Sequence, residues 1–176
     1  MNNKKFLVDT SVILDDPQNL ISLFQGGLNE VYISDVILSE LNGHKEDGFN
    51  EKGFFAREFI RALDKGILTK RNDVIVKKVR NKKRLSKRIE VERIKEGEDI
   101  IYGFSCLFEN KKEPILIYII NREQYKKESN TNDLKIVEIA SDYSLDLITN
   151  DIALKIIALS KGVHSESLKK DTVNNP

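Results

Sequence analysis

A chain of 176 residues with one cysteine, two histidines and no long apolar run is poor in several kinds of chemistry at once. Its single thiol, Cys106, can form neither an internal disulfide nor a zinc cage by itself, so a reduced, cytoplasmic setting is the expectation. The longest apolar stretches, such as Ile115 to Ile120, fall far short of the roughly 20 residues that a membrane span needs, and no membrane partner is expected. The opening Met1-Asn2-Asn3-Lys4-Lys5-Phe6-Leu7-Val8 has the outline of a signal peptide. Asp9 and Asp15-Asp16 interrupt the apolar part, however, and no small-residue cleavage site follows. There is no internal repeat.

What remains is enough for a folded domain. Hydrophobic residues make up 40% and charged residues 32%, which supplies both a core and a solvated surface and excludes a wholly disordered chain. We read residues 1–168 as one domain and 169–176 as a polar C-terminal tail. The net charge of +1 conceals an uneven distribution. Residues 70 to 95 hold twelve Lys or Arg against three acids, a local excess of nine positive charges that leaves the rest of the chain at −8. Within that block Lys82, Lys83, Arg84, Lys87 and Arg88 are the candidate contacts for a polyanion, against the plainer reading of a solvated face.

Strand and helix signals alternate, the pattern of an α/β domain with a mainly parallel sheet between helical layers. Lys5 to Asp9, Glu30 to Ser34, Ile115 to Ile120 and Leu145 to Thr149 read as strands, and the alternating piece Ile89 to Ile94 as an exposed one. Helices are expected over Asn19 to Phe24, from Ser34 or Asp35 to near Gly43, Phe54 to Leu63, Ile100 to Phe108, Asp133 to Tyr143 and Ile152 to Ser160. Residues 121 to 132 read as a loop.

In an open α/β sheet, ligands bind beyond the carboxyl ends of the strands. Asp9 and Asp151 fall there by pattern, and Glu40 and Asp133 sit where helices can present them at the same edge. Clustered carboxylates repel one another unless protons or cations compensate, and hard divalent ions prefer such oxygen donors. Each acid also has a plainer explanation. Asp133 can be a helix N-terminal residue beside the cap Asn132, Asp151 one beside Asn150, and Glu40 an ordinary surface glutamate. Asp9, which ends an apolar strand and precedes Thr10-Ser11, has the weakest such explanation. His44 and His164 read as surface residues without chemistry.

Four segments in order resemble the PIN-domain nucleases over residues 4 to 166. Leu7-Val8-Asp9-Thr10-Ser11-Val12-Ile13-Leu14-Asp15-Asp16-Pro17 is similar to the opening of the PIN module in PhoH-type proteins, and Ile33 to Leu41 to the strand and helix that follow. Gly53 to Asp64 resembles that subfamily's second landmark. Thr131 to Ile136 and Asn150 to Lys155 resemble its closing pair. The resemblance implies a three-layer α/β/α fold with a mainly parallel central sheet. It also implies an acidic site on Asp9, Glu40, Asp133 and Asp151 that holds Mg²⁺ or Mn²⁺, with Ser11 and Asn150 as auxiliary polar residues. The activity it implies is that of a metal-dependent ribonuclease, cleaving single-stranded RNA endonucleolytically. A homo-oligomer is a further implication.

Two features depart from the pattern. The stretch from about Lys70 to Asn130 is longer and more basic than the minimal module. PhoH-type proteins also resemble a fusion to a P-loop ATPase, whereas this chain has no Gly-x-x-x-x-Gly-Lys-Ser/Thr sequence. The ATPase is therefore expected as a fused or associated partner, or the module stands alone. Two other classes compete: a catalytically silent RNA-binding or partner-docking module with the same fold, and a haloacid-dehalogenase-type phosphatase. The latter needs a second aspartate where this chain has Ser11.

Overall fold

The computed structural model describes residues 3–46, 48, 50–68, 76–79, 88–91, 99–108 and 113–168. The chain runs through β1 (Lys5–Val8), α1 (Thr10–Asp15), α2 (Asn19–Phe24), β2 (Glu30–Ser34), α3 (Asp35–His44) and α4 (Glu51–Asp64). Strands β3 (Ile67–Leu68), β4 (Val76–Val79), β5 (Arg88–Val91), β6 (Ile100–Cys106) and β7 (Ile115–Asn121) follow. It closes with α5 (Asn132–Asp142), β8 (Asp146–Ile148), α6 (Ile152–Ser160) and β9 (Ser165–Glu166).

Seven strands form one sheet in the order β3-β6-β7-β2-β1-β8-β9, and β4 and β5 pair separately as an antiparallel ribbon. From β7 to β9 every neighbour is parallel, while β6 runs antiparallel to both of its neighbours, β3 and β7. The mainly parallel α/β sheet expected from the sequence is therefore present, flanked by helices. In β1, Phe6, Leu7 and Val8 are all buried, as a strand covered on both faces requires. Tyr32 and Tyr118 face each other in register across β2 and β7, with ring centroids 5.1 Å apart.

Several boundaries follow from caps. Ser34 accepts from the Ile37 amide and starts α3, and Asn50 accepts from the Gly53 amide at 2.8 Å, which starts α4 three residues before the expected Phe54. Gly162, at φ +78°, closes α6.

One element differs in kind. Residues 100 to 108, expected as a helix, form strand β6, whose seven residues pair with β7 from Ile100 opposite Asn121 to Cys106 opposite Ile115. Ile-Ile-Tyr-Gly-Phe-Ser-Cys is rich in β-branched and aromatic residues, and the long apolar β7 offers it a complete antiparallel ladder. Cys106 ends up fully buried, and burial pushes its thiol up to about 12.

A charged knot ties β7 to α5. The Arg122 guanidinium donates to both oxygens of Asp99 (2.8 and 2.7 Å), to Glu138 (2.9 Å) and to Asp142 (2.7 Å). Tyr143 also donates to Asp99, and Ser129 to Glu138. Among the described residues no helix is long and apolar enough to cross a membrane. The tail 169–176 lies outside the described residues, as do Lys82, Lys83, Arg84 and Lys87; Arg88 opens β5, with its side chain outside the description.

Candidate acidic cleft

Strand order creates the site. The chain steps from β1 to β2 to β7 on one side, whereas β8 and β9 lie on the other side of β1. The point where the order reverses falls between β1 and β8, and a crevice opens there at the carboxyl edge of the sheet. Asp9 leaves β1 at that edge, and Thr149, Asn150 and Asp151 leave β8 beside it. Helix α5 precedes β8, so its N-terminal Asp133 arrives at the same edge. Glu40 projects from α3, which follows β2.

Asp9, Glu40, Asp133, Asn150 and Asp151 line a cleft of about 570 Å³ with Thr10, Ser11, Leu14, Asp15, Gly43, His44 and Lys52. All four sequence-predicted acids and both auxiliary residues, Ser11 and Asn150, are thus in one cleft.

Asp9 is buried, at 5% exposure, and its position is fixed by donors. Its Oδ2 accepts from the Ser11 hydroxyl and the Thr149 hydroxyl, both at 2.8 Å, and from the Ser11 amide at 3.4 Å. Oδ1 accepts no hydrogen bond among the described residues. Glu40 Oε1 accepts from the Thr10 hydroxyl at 2.5 Å and Oε2 from the Asn132 amide group at 3.2 Å, which ties α3 to the starts of α1 and α5. Asp151 caps α6: Oδ1 accepts from the Ala153 and Leu154 amides, which leaves Oδ2 to the cleft. Asn150 is a brace, its amide N–H on Ser11 Oγ, its side chain donating to Asp15 at 2.7 Å and accepting from the Leu168 amide.

Asp133 accepts no hydrogen bond among the described residues. Burial raises its pKa, and repulsion from Asp151, Asp9 and Glu40 raises it further. Asp133 therefore feels the charge of the other three carboxylates. They do not close on a single point: among the described residues no group of three or more His, Cys, Asp or Glu side chains is set to hold a metal ion.

Two caps differ from the sequence expectation by one residue. Thr131 caps α5 in place of Asn132, freeing Asn132 for Glu40, and Asp151 itself caps α6 in place of Asn150. The sequence reading missed Asp15, Lys52 and His44 as cleft residues, and Thr149 as the residue whose hydroxyl holds Asp9. For Thr149 a signal was present, a hydroxyl at the carboxyl end of an apolar strand. His164, by contrast, lies away from the cleft and pairs with Glu166 at 2.7 Å.

The donor set is all oxygen, anionic, and short of hydrogen-bond donors at Asp9 Oδ1, Asp151 Oδ2 and the whole of Asp133. That chemistry fits a hard divalent cation whose shell is completed by water, since Mg²⁺ in particular keeps several waters.

No curated protein matches the sequence. Among solved structures, the chain is similar to a domain of a functionally unknown protein from Methanocaldococcus jannaschii. The two are 16% identical with a TM-score of 0.52, over 98% of this chain and 96% of that one, a likeness of fold. Residues 6–169 match the family model of the PIN domain, and the chain accordingly belongs to the PIN-domain family, whose members are generally nucleases.

Proposed function

We propose that the protein is a divalent-metal-dependent ribonuclease that cuts single-stranded RNA endonucleolytically, with Asp9, Glu40, Asp133 and Asp151 as its metal-holding and catalytic carboxylates. The observation that carries this reading is the field at Asp133, whose carboxyl is raised by burial and by the three other acids across a shared cleft. Such repulsion costs stability in the empty fold, and a divalent cation bound among the carboxylates would offset it. Mg²⁺ or Mn²⁺ held by these four residues supplies Lewis-acid activation of water and neutralises charge on the phosphoryl oxygens.

The chain's own residues prepare the cleft. Ser11 and Thr149 hold Asp9 so that Oδ1 is left over for a ligand, and Thr10 and Asn132 aim Glu40. Asn150 keeps Ser11 and Asp15 in place. No histidine base is needed in such a site, and the basic stretch with Lys82, Lys83, Arg84, Lys87 and Arg88 is proposed to follow the RNA backbone. The motifs at Gly53 to Asp64 and Asn150 to Lys155 support a PhoH-type relationship, with a fused or associated P-loop ATPase and a cytoplasmic setting.

The test is a circular single-stranded RNA, which an exonuclease cannot enter. Linearisation in Mg²⁺ or Mn²⁺ and none in EDTA is the expected result. Among the described residues no three-ligand group is preset, which favours one second reading, a catalytically silent RNA-binding module. Salt-dependent binding of the circle without cleavage in any metal would select it.

A further inference from the structure

We propose that Lys52 is a phosphate-binding residue of this cleft, seating an RNA phosphate beside the one held at the carboxylates; this rests on the nuclease reading.

Helix α4 buries Ala56, Phe59 and Leu63, a stripe at spacings of three and four residues. The buried face runs on through Gly53, whereas Lys52, one turn before Ala56, is exposed and lines the cleft. Its ammonium stands on a flexible stem at the cleft rather than in the packed interior.

Helix α4 is held at this spot because Arg57 donates to the Lys45 carbonyl at 2.9 Å, joining it to the end of α3. Lys52 therefore stands at the His44 end of the cleft. Glu40 is four residues back along α3, about 6 Å at 1.5 Å per residue.

Five carboxylates line the same cleft: Asp9, Asp15, Glu40, Asp133 and Asp151. Lys52 nonetheless forms no ion pair with any of them, nor with any other described residue. Among the described residues it is the one lysine or arginine that lines the cleft. The cleft is thus bipolar, anionic at the strand ends and cationic at α4. A phosphodiester chain complements both poles, with one phosphate at the carboxylate site and the next at an ammonium, which binds phosphate as a point charge.

The experiment compares wild type, Lys52→Gln and Lys52→Arg on labelled single-stranded RNA in saturating Mn²⁺ at several salt concentrations. Circular dichroism and melting check the fold, which an exposed first-turn residue should not upset. Lys52→Gln is expected to raise KM about tenfold, the effect of one charge-assisted contact, and to make the log–log salt dependence shallower by roughly 0.7. Lys52→Arg is expected to restore both. A role confined to holding the helix would lower the melting temperature and leave the salt slope alone, which overturns the proposal. Unchanged KM and slope in a folded Lys52→Gln protein, with wild type cleaving normally, overturns it and leaves the nuclease reading standing. A wild type that cleaves in no divalent metal removes both.

Discussion

Asp133 is the residue at which the physics of the cleft can be read without substrate. Burial and the charges of Asp151, Asp9 and Glu40 raise its pKa, so the folded chain binds that proton more tightly than the unfolded one. Stability therefore falls as pH rises from the ordinary aspartate range, roughly 3.9, through the raised value. Removing the charge removes the penalty. In metal-free buffer Asp133→Asn should melt above wild type at pH 7, and the gap should narrow on acidification. Mn²⁺ should raise the wild-type melting temperature and do little for the variant. Identical melting curves at every pH would mean that the four acids share no field. How well the sequence foretold the site also divides at single residues. That Asp9, Asp133 and Asp151 reach one cleft was legible because strand ends and helix starts mark the sheet edge, and Glu40 because the middle of α3 can present it there. Lys52 was not, because only the folded chain brings the start of α4 to the cleft.

At the scale of elements, short segments with strong local signals were read correctly. Glu30–Ser34 and Ile152–Ser160 form the expected strand and helix with the expected bounds. Strand β6 was misread because Ile100 to Cys106 has apolar residues dense enough to suit either period. The ladder with β7, a contact invisible in local sequence, decides it. The same holds for Arg122, whose partners Asp99, Glu138 and Asp142 are spread over 43 residues of chain. Its side chain is 12% exposed and Asp99 7%. Losing one member of so buried a cluster leaves charges uncompensated, at a cost of about 3–5 kcal/mol. Arg122→Met should lower the unfolding free energy measured by urea denaturation by that amount, and a loss below about 1 kcal/mol would mean that water already screens the knot.

On the proposed function, the whole molecule divides its work between two charge distributions, an acidic cleft that acts on phosphate and a basic stretch that holds the strand. They can be separated experimentally. Neutralising Lys82, Lys83, Arg84, Lys87 and Arg88 together should weaken RNA binding and flatten the log–log salt slope by roughly 0.7 per lost contact, with metal affinity nearly unchanged. An unaltered slope in a folded variant would take the stretch out of the RNA path. The cleft is tested most directly by the initial rate of single-stranded RNA cleavage in Mn²⁺ for wild type, Asp9→Asn and Asp151→Asn. Each substitution keeps the size of the side chain and removes one anionic ligand. If these carboxylates do the work, each loses several kcal/mol of transition-state stabilisation, and the rate falls on the order of a hundredfold or more while the fold survives. Wild-type rates from both variants would contradict the assignment.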